Sequence, residues 1–155
     1  MRLQKSQKIT TALVFAAACL LPLAGVASAT DLGIQMGYYF DSNAIGIGFG
    51  ALTSISDTQQ WFFNPNAEMI AGDRDMAAFN LDFHYDFAQS DELTFWAGAG
   101  PALYVIDQPF DDDMDPALNL LAGFGSMTGN VRPFVQGKAV IMDNSEASIA
   151  VGLRF

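Results

Sequence analysis

The stretch FNLDFHYDF, residues 79–87, alternates without a break. Phe79, Leu81, Phe83, Tyr85 and Phe87 fall on one face of an extended chain, and Asn80, Asp82, His84 and Asp86 on the other. A period of two excludes an amphipathic helix, whose apolar positions recur every three or four residues. The segment is therefore a strand with an apolar face and a polar face. Which of the two faces inward decides the fold.

The same period governs the chain from residue 30 onward. Runs at 32–40, 44–55, 60–71, 76–87, 93–106, 117–127, 131–142 and 145–155 read as strands. The breaks between them carry turn residues: DSN (41–43), SDTQ (56–59), GDRD (72–75), AQSDE (88–92), TGN (128–130) and DN (143–144). DQPFDDDMDP (107–116) reads as a long connection. The first run sets Leu32, Ile34, Met36, Tyr38 and Phe40 against Gly33, Gln35, Gly37 and Tyr39. The last residues, ASIAVGLRF (147–155), set Ile149, Val151, Leu153 and Phe155 against Ser148, Ala150, Gly152 and Arg154. Pro65, Pro101 and Pro133 lie within runs and predict bulges or strand ends, because proline removes a ladder hydrogen bond.

The opening residues follow another pattern. Arg2, Lys5 and Lys8 precede an apolar run from Ile9 to Leu21, Pro22 breaks it, and Ala27, Ser28 and Ala29 supply small residues for cleavage. This is the organisation of a secretory signal peptide, assigned to residues 1–29, with one domain over 30–155. The single cysteine, Cys19, lies in that segment, where the continuing apolar run LLPLAG argues against a lipoprotein site. The remaining chain has no thiol for a disulfide, a metal thiolate or a cysteine nucleophile. It keeps Arg74, Arg132, Lys138 and Arg154 against the chain's 17 acids, which excludes nucleic acid as a partner. With 51% hydrophobic and 15% charged residues, the sequence has little charge to spend on a water-facing surface.

Alternation suits two opposite barrels. A soluble, lipocalin-like barrel points its apolar side chains inward; a membrane barrel points them outward. The non-apolar face is rich in small residues: Gly46, Gly48 and Gly50, then Gly98, Gly100 and Ala102, then Gly123 and Gly125. Such residues suit the crowded lumen of a narrow barrel. If the first strand runs outward, Trp61, Phe63, Tyr85, Phe87, Phe95 and Phe155 gather near the inner rim. Tyr38, Phe40 and Tyr104 then gather near the outer one. That is the arrangement of two interfacial girdles. An even strand number also returns both termini to one side. These features predict an all-β, eight-stranded antiparallel up-and-down transmembrane barrel.

The pattern resembles the small eight-stranded outer-membrane β-barrels of Gram-negative bacteria, the group of OmpX and the OmpA transmembrane domain. Its motif is the carboxyl-terminal β-signal, seen here as Ile149, Val151, Gly152, Leu153 and terminal Phe155. The resemblance implies that the outer-membrane assembly machinery recognises this strand and closes it against the first. It further implies a monomer surrounded by outer-membrane lipid and lipopolysaccharide, with no cofactor and a structural or surface-interaction role. A narrow channel for ions or small solutes is the main rival. A lipid-modifying enzyme and a periplasmic lipocalin-like binder are the others.

Chemistry in such a barrel would sit in the lumen, where parity places Glu68, Asp82, His84, Asp86, Arg132, Lys138, Glu146 and Arg154. Acids on the third and fourth strands lie across the ring from bases on the seventh and eighth, so pairs bridging the lumen are expected. Charges in a narrow interior need partners, and such a network either plugs the barrel or gates it. Phe62 and Phe134 also point inward. His84 can pair with Asp82 or Asp86, but no serine stands two residues away on its strand, so no catalytic residue is assigned. Asp111, Asp112, Asp113 and Asp115 read as a solvated acidic loop. Weak divalent binding at Asp111, Asp113 and Asp115 stays open beside that reading, although the loop lacks the glycine and distal glutamate of an EF-hand. GIGFG (46–50) is no nucleotide loop, because its glycines share one strand face and no helix follows.

Overall fold

The computed structural model describes residues 30–155 except 74, 90, 91, 108–111 and 127, with the backbone alone at 30, 88, 89, 107, 112 and 113. The predicted signal segment with Cys19, and Asp111, lie outside the described residues. Eight strands follow one another: β1 (Thr30–Tyr39), β2 (Ala44–Ser54), β3 (Trp61–Ala71), β4 (Met76–Gln89), β5 (Leu93–Asp107), β6 (Asp112–Ser126), β7 (Arg132–Ile141) and β8 (Glu146–Arg154). Each pairs antiparallel with the next, and β8 pairs with β1, so the sheet closes without an edge. The closing seam runs from Tyr39 with Ser148 to Gly33 with Arg154. Beyond it Phe155 and Leu32 exchange both backbone hydrogen bonds, at 2.8 and 3.3 Å. The terminal phenylalanine thus completes the seam.

Followed once around the ring through paired positions, the register climbs by about ten residues along β1, the stagger that tilts the strands. An even stagger keeps the pleat in phase, so inward residues meet inward residues at the seam.

The predicted connection at 107–116 is corrected. β6 begins at Asp112 and pairs Asp112 with Asp107, Asp115 with Tyr104 and Pro116 with Leu103. Pro116 costs no bond there, because the pairing of β6 with β7 begins only at Leu118 with Ile141. Of the three prolines within runs, Pro133 marks a strand end as expected, and the other two neither bulge nor end a strand. At Pro65 the β2–β3 ladder skips from Gly50–Asn66 to Thr53–Phe63, and at Pro101 the β4–β5 ladder skips from Asn80–Ala102 to Phe83–Ala99. Both resume in register, so each proline opens the ladder without bulging it. Pro133 sits at the start of β7, beyond the last β6 partner, Phe134 with Gly125. The bulge falls instead between Asp86 and Ala88, with no proline present.

Burial is inverted relative to a soluble barrel. Met36 is 55% exposed and Phe49 likewise, whereas Asp82 is 1% exposed and Asn119 fully buried. Aromatic pairs line the outer surface at the end holding the chain termini: Trp61 with Tyr85 at 5.1 Å, Phe63 with Phe83 at 4.8 Å and Phe95 with Phe124 at 5.9 Å. Tyr38 and Phe40 pair at the opposite end, at 5.3 Å. Tyr104 is not part of a girdle. It is fully buried on the lumen face, which it shares with Ala102 and Ile106.

Gly98 and Gly152 are among the glycines required by close approach. A Cβ on Gly98 would lie 2.1 Å from the Phe83 carbonyl oxygen, so β4 and β5 can meet there only without one. A Cβ on Gly152 would lie 2.3 Å from the Phe134 ring and 2.6 Å from the Ile34 carbonyl oxygen. Gly152→Ala is expected to destabilise the barrel by about 1–3 kcal/mol through overpacking. Urea unfolding in lipid vesicles checks this, and an unchanged midpoint would refute it.

Candidate functional site

The lumen is layered. At the end carrying the β1–β2, β3–β4 and β7–β8 turns, Tyr39, Ile70, Met76, Tyr104, Ile106 and Val140 form a buried apolar cluster. The strands contribute them from their ends: Tyr39 closes β1, Met76 opens β4, and Val140 stands near the end of β7.

Below this cluster lies a polar layer. Glu68 on β3 and Lys138 on β7 form an ion pair across the lumen, each side chain 4% exposed. Tyr39 Oη donates to Glu68 Oε2, and Asn80 Nδ2 donates to Glu68 Oε1 at 3.0 Å. Asp82, the next inward residue after Asn80 on β4, meets no base. Asn66 Nδ2 donates to its Oδ2 at 2.9 Å and Asn119 Nδ2 to its Oδ1 at 2.9 Å. Asn80 joins the two acids, donating to Asn66 Oδ1 at 2.7 Å and accepting from Asn119 at 2.8 Å. A carboxylate in a low-dielectric interior is tolerable only when its lone pairs are met, and three asparagines meet them here.

The layer at the terminal end is aromatic and cationic. Trp96 is fully buried and donates its indole N–H to Gln136 Oε1 at 3.1 Å. The His84 ring stacks on it at 5.6 Å and touches Phe62 at 5.5 Å. His84 Nε2 lies 3.6 Å from Asp86 Oδ1, too far for a direct hydrogen bond. Asp86 accepts instead from Thr94 Oγ1 at 3.1 Å. The Arg154 guanidinium lies over the Trp96 ring at 4.5 Å and the Phe134 ring at 4.6 Å. Arg132 pairs with Asp31, an acid that the parity argument had not singled out. A small cavity of about 20 Å³ opens beside Arg154, lined also by Asp31, Gly33, Gln35, Asn64 and Gln136.

Of the charges expected to pair across the lumen, the structure thus brings together Glu68 with Lys138 and places His84 beside Asp86. Among the described residues neither Asp82 nor Arg154 has an opposite charge at ion-pair distance. Glu146 stands apart at the turn end, where its Oε1 accepts from the Asp41 and Ser42 amides at 2.7 and 3.0 Å. Those amides belong to a turn that passes Asn43 through a positive φ of 47°, and their bonds are taken by the nearest carboxylate. Among the described residues no cluster of three or more histidine, cysteine, aspartate or glutamate side chains could hold a metal ion. Of the aspartates considered for divalent binding, Asp115 stands on β6 opposite Tyr104, Asp113 is described by its backbone alone and Asp111 lies outside the described residues.

No family model matches the sequence, and no curated protein matches it. Solved structures do. The amino-terminal β-barrel domain of Pseudomonas aeruginosa OprF superposes with a TM-score of 0.59 at 17% identity, covering 81% of this chain and 96% of that one. Neisserial surface protein A gives a TM-score of 0.62 at 15% identity, covering 81% and 94%. The outer membrane enzyme PagL gives 0.54 at 13% identity, covering 81% and 98%. This is the fold of the small eight-stranded outer-membrane barrels.

Within an outer-membrane barrel fold, the carboxyl-terminal strand occupies the closing position. Ile149, Val151, Leu153 and Phe155 face outward, and Gly152 passes beneath Phe134. The fold also explains which lumen residues sequence reasoning missed. Asn66, Asn119, Gln136, Tyr39, Tyr104 and Trp96 all stand on the inward parity of their strands. Parity alone would have found them, but a search restricted to titratable side chains passes over amides and rings. The fold carries both an enzyme and proteins of other kinds, so it leaves activity open.

Proposed function

We propose that the protein is an outer-membrane β-barrel of a Gram-negative bacterium with a polar, plugged lumen and a structural or surface-interaction role. The observation that carries this reading is the layered lumen. The Glu68–Lys138 pair crosses it, asparagines fill the spaces around the pair, and an apolar cluster covers the network at the turn end. An ion would have to displace a buried ion pair and then pass an apolar constriction, and both steps are costly. The termini lie on the periplasmic side and the β1–β2, β3–β4 and β7–β8 turns outside. The outer surface takes up lipid and lipopolysaccharide, and the assembly machinery reads the strand Ile149–Phe155, after cleavage of a signal peptide at residues 1–29.

The protein is not an enzyme in this reading. Neither ring nitrogen of His84 has a hydrogen-bond partner among the described residues, and a serine nucleophile would need one of them as its base. The test is single-channel conductance of the refolded barrel in a planar bilayer, with folding established by heat-sensitive gel mobility. A sealed bilayer is expected. Discrete conductance steps that change when Lys138 is neutralised would overturn the plug and make the protein a narrow channel.

A further inference from the structure

We infer that the terminal end of the lumen is a binding site for a small oxyanion, a carboxylate or phosphate group held by Arg154. The inference does not depend on whether the middle of the lumen conducts.

Arg154 carries it. Its guanidinium lies over Trp96 and Phe134, at 4.5 and 4.6 Å, and the two rings, inclined at 61°, confine its position. Ring contacts are not ion pairs, and the guanidinium N–H groups are the donors that match a carboxylate or phosphate bidentately. Among the described residues no carboxylate lies within ion-pair distance of Arg154. The ion pairs found there are Arg132 with Asp31 and Lys138 with Glu68. The nearest rival cation, Arg132, stands beside it on β7 but is engaged by Asp31, which in turn neutralises the one acid in the cavity wall. The other acid of this layer, Asp86, accepts from Thr94 at Oδ2, while its Oδ1 has no hydrogen-bond partner among the described residues.

The space beside Arg154 supports the same conclusion. The cavity of about 20 Å³ is lined by the amide side chains of Gln35, Asn64 and Gln136, whose N–H groups can donate to oxygen, while Asn66 in the same wall already donates to Asp82 and to the Asn64 carbonyl. Gly33 forms part of the wall, and a Cβ there would meet nothing nearer than 3.8 Å. Packing forces Gly98 and Gly152 to be glycines, but it does not force Gly33. A side chain at Gly33 would instead fill the cavity. The room suits one water-sized group, such as a single oxygen of an oxyanion. A larger ligand would leave its remainder outside the mouth, on the side where the termini lie.

The test uses the full barrel, refolded in a phosphate-free maltoside detergent with isotope-labelled arginine and tryptophan. Acetate, inorganic phosphate and a short-chain phosphatidylglycerol are titrated in turn at constant ionic strength. The Arg154 Nε–H and Trp96 indole resonances are expected to shift saturably in the millimolar range, while Arg74 and Trp61 stay still. Saturation by acetate or phosphate identifies a free solute, and saturation by the lipid alone identifies a headgroup; both support the site. Gly33→Leu, which leaves Arg154 in place, is expected to weaken binding at least tenfold, and Arg154→Gln to abolish it. The inference is overturned if Arg154 and Trp96 do not shift with any probe. Equal movement of Arg74, which marks an adventitious ion only, overturns it as well, as does undiminished binding by a folded Gly33→Leu barrel.

Discussion

Lys138→Met is expected to destabilise the barrel by about 3–5 kcal/mol, the cost of leaving a buried charge without its partner. Glu68 would keep its bonds from Tyr39 and Asn80 but lose the cation in contact with it. Neutral donors offset part of the desolvation of a carboxylate, not all of it. Glu68→Gln should cost a similar amount, because Lys138 is then the stranded charge. The double variant is expected to recover most of the loss, since no ion remains to be desolvated and methionine fills the volume of the lysine stem. Urea unfolding of the three variants in lipid vesicles gives the cycle. Losses that simply add would show that the two side chains do not act as a pair. The same variants separate stability from conduction: a barrel that stays folded yet still seals would locate the barrier in the apolar cluster at the turn end.

The second large effect is expected outside the barrel. Leu120 is 44% exposed on β6, between the inward residues Asn119 and Leu121 and paired with Ala99 and Ala139 at mid-strand. In water, replacing an exposed leucine by arginine is worth little, within about 0.5 kcal/mol. At the midplane of a bilayer the same change costs about 2–4 kcal/mol. Leu120→Arg is therefore expected to lower stability in vesicles by that amount. Ile45→Arg, at the start of β2 near the turn end, should cost only about 0–1 kcal/mol, because there the side chain reaches the interface. A depth-dependent penalty is the signature of a membrane-spanning wall. Equal and negligible effects at both sites would instead favour the water-soluble barrel.

The fold makes these two faces independent. Lumen substitutions act through hydrogen bonds and ion pairs between strands, whereas outer-face substitutions act through the surrounding medium. Arg154 is a lumen residue on the closing strand. Its neighbours Leu153 and Phe155 face outward and hold the seam with Ile34 and Leu32. The proposed oxyanion site and the outward side chains of the proposed assembly signal, Ile149, Val151, Leu153 and Phe155, therefore occupy alternate positions of one strand, whereas Gly152 shares the inward parity of Arg154 and packs beneath Phe134.

Period-two alternation is a property of the backbone pleat, so the sequence alone determined the strands and which residues share a face. FNLDFHYDF already separated Asn80, Asp82, His84 and Asp86 from the aromatic face, and the same parity placed Glu68, Lys138 and Arg154 on the lumen side. Local pattern failed where local chemistry misled. The acids and proline before Ala117 read as a loop, although β5 extends alongside them as a partner. Tyr104 read as a girdle residue although its parity faced inward. What parity could not supply was partners. Glu68 meets Lys138, Asp82 meets Asn66 and Asn119, Arg154 meets two rings, and Glu146 meets a turn. Each of these contacts joins residues far apart in the chain. Which strands face each other, and at what height, is set by ring closure and by the stagger accumulated over all eight pairings. No window of sequence contains either, so only the tertiary structure decided which charges are paired and which one is left to face the mouth.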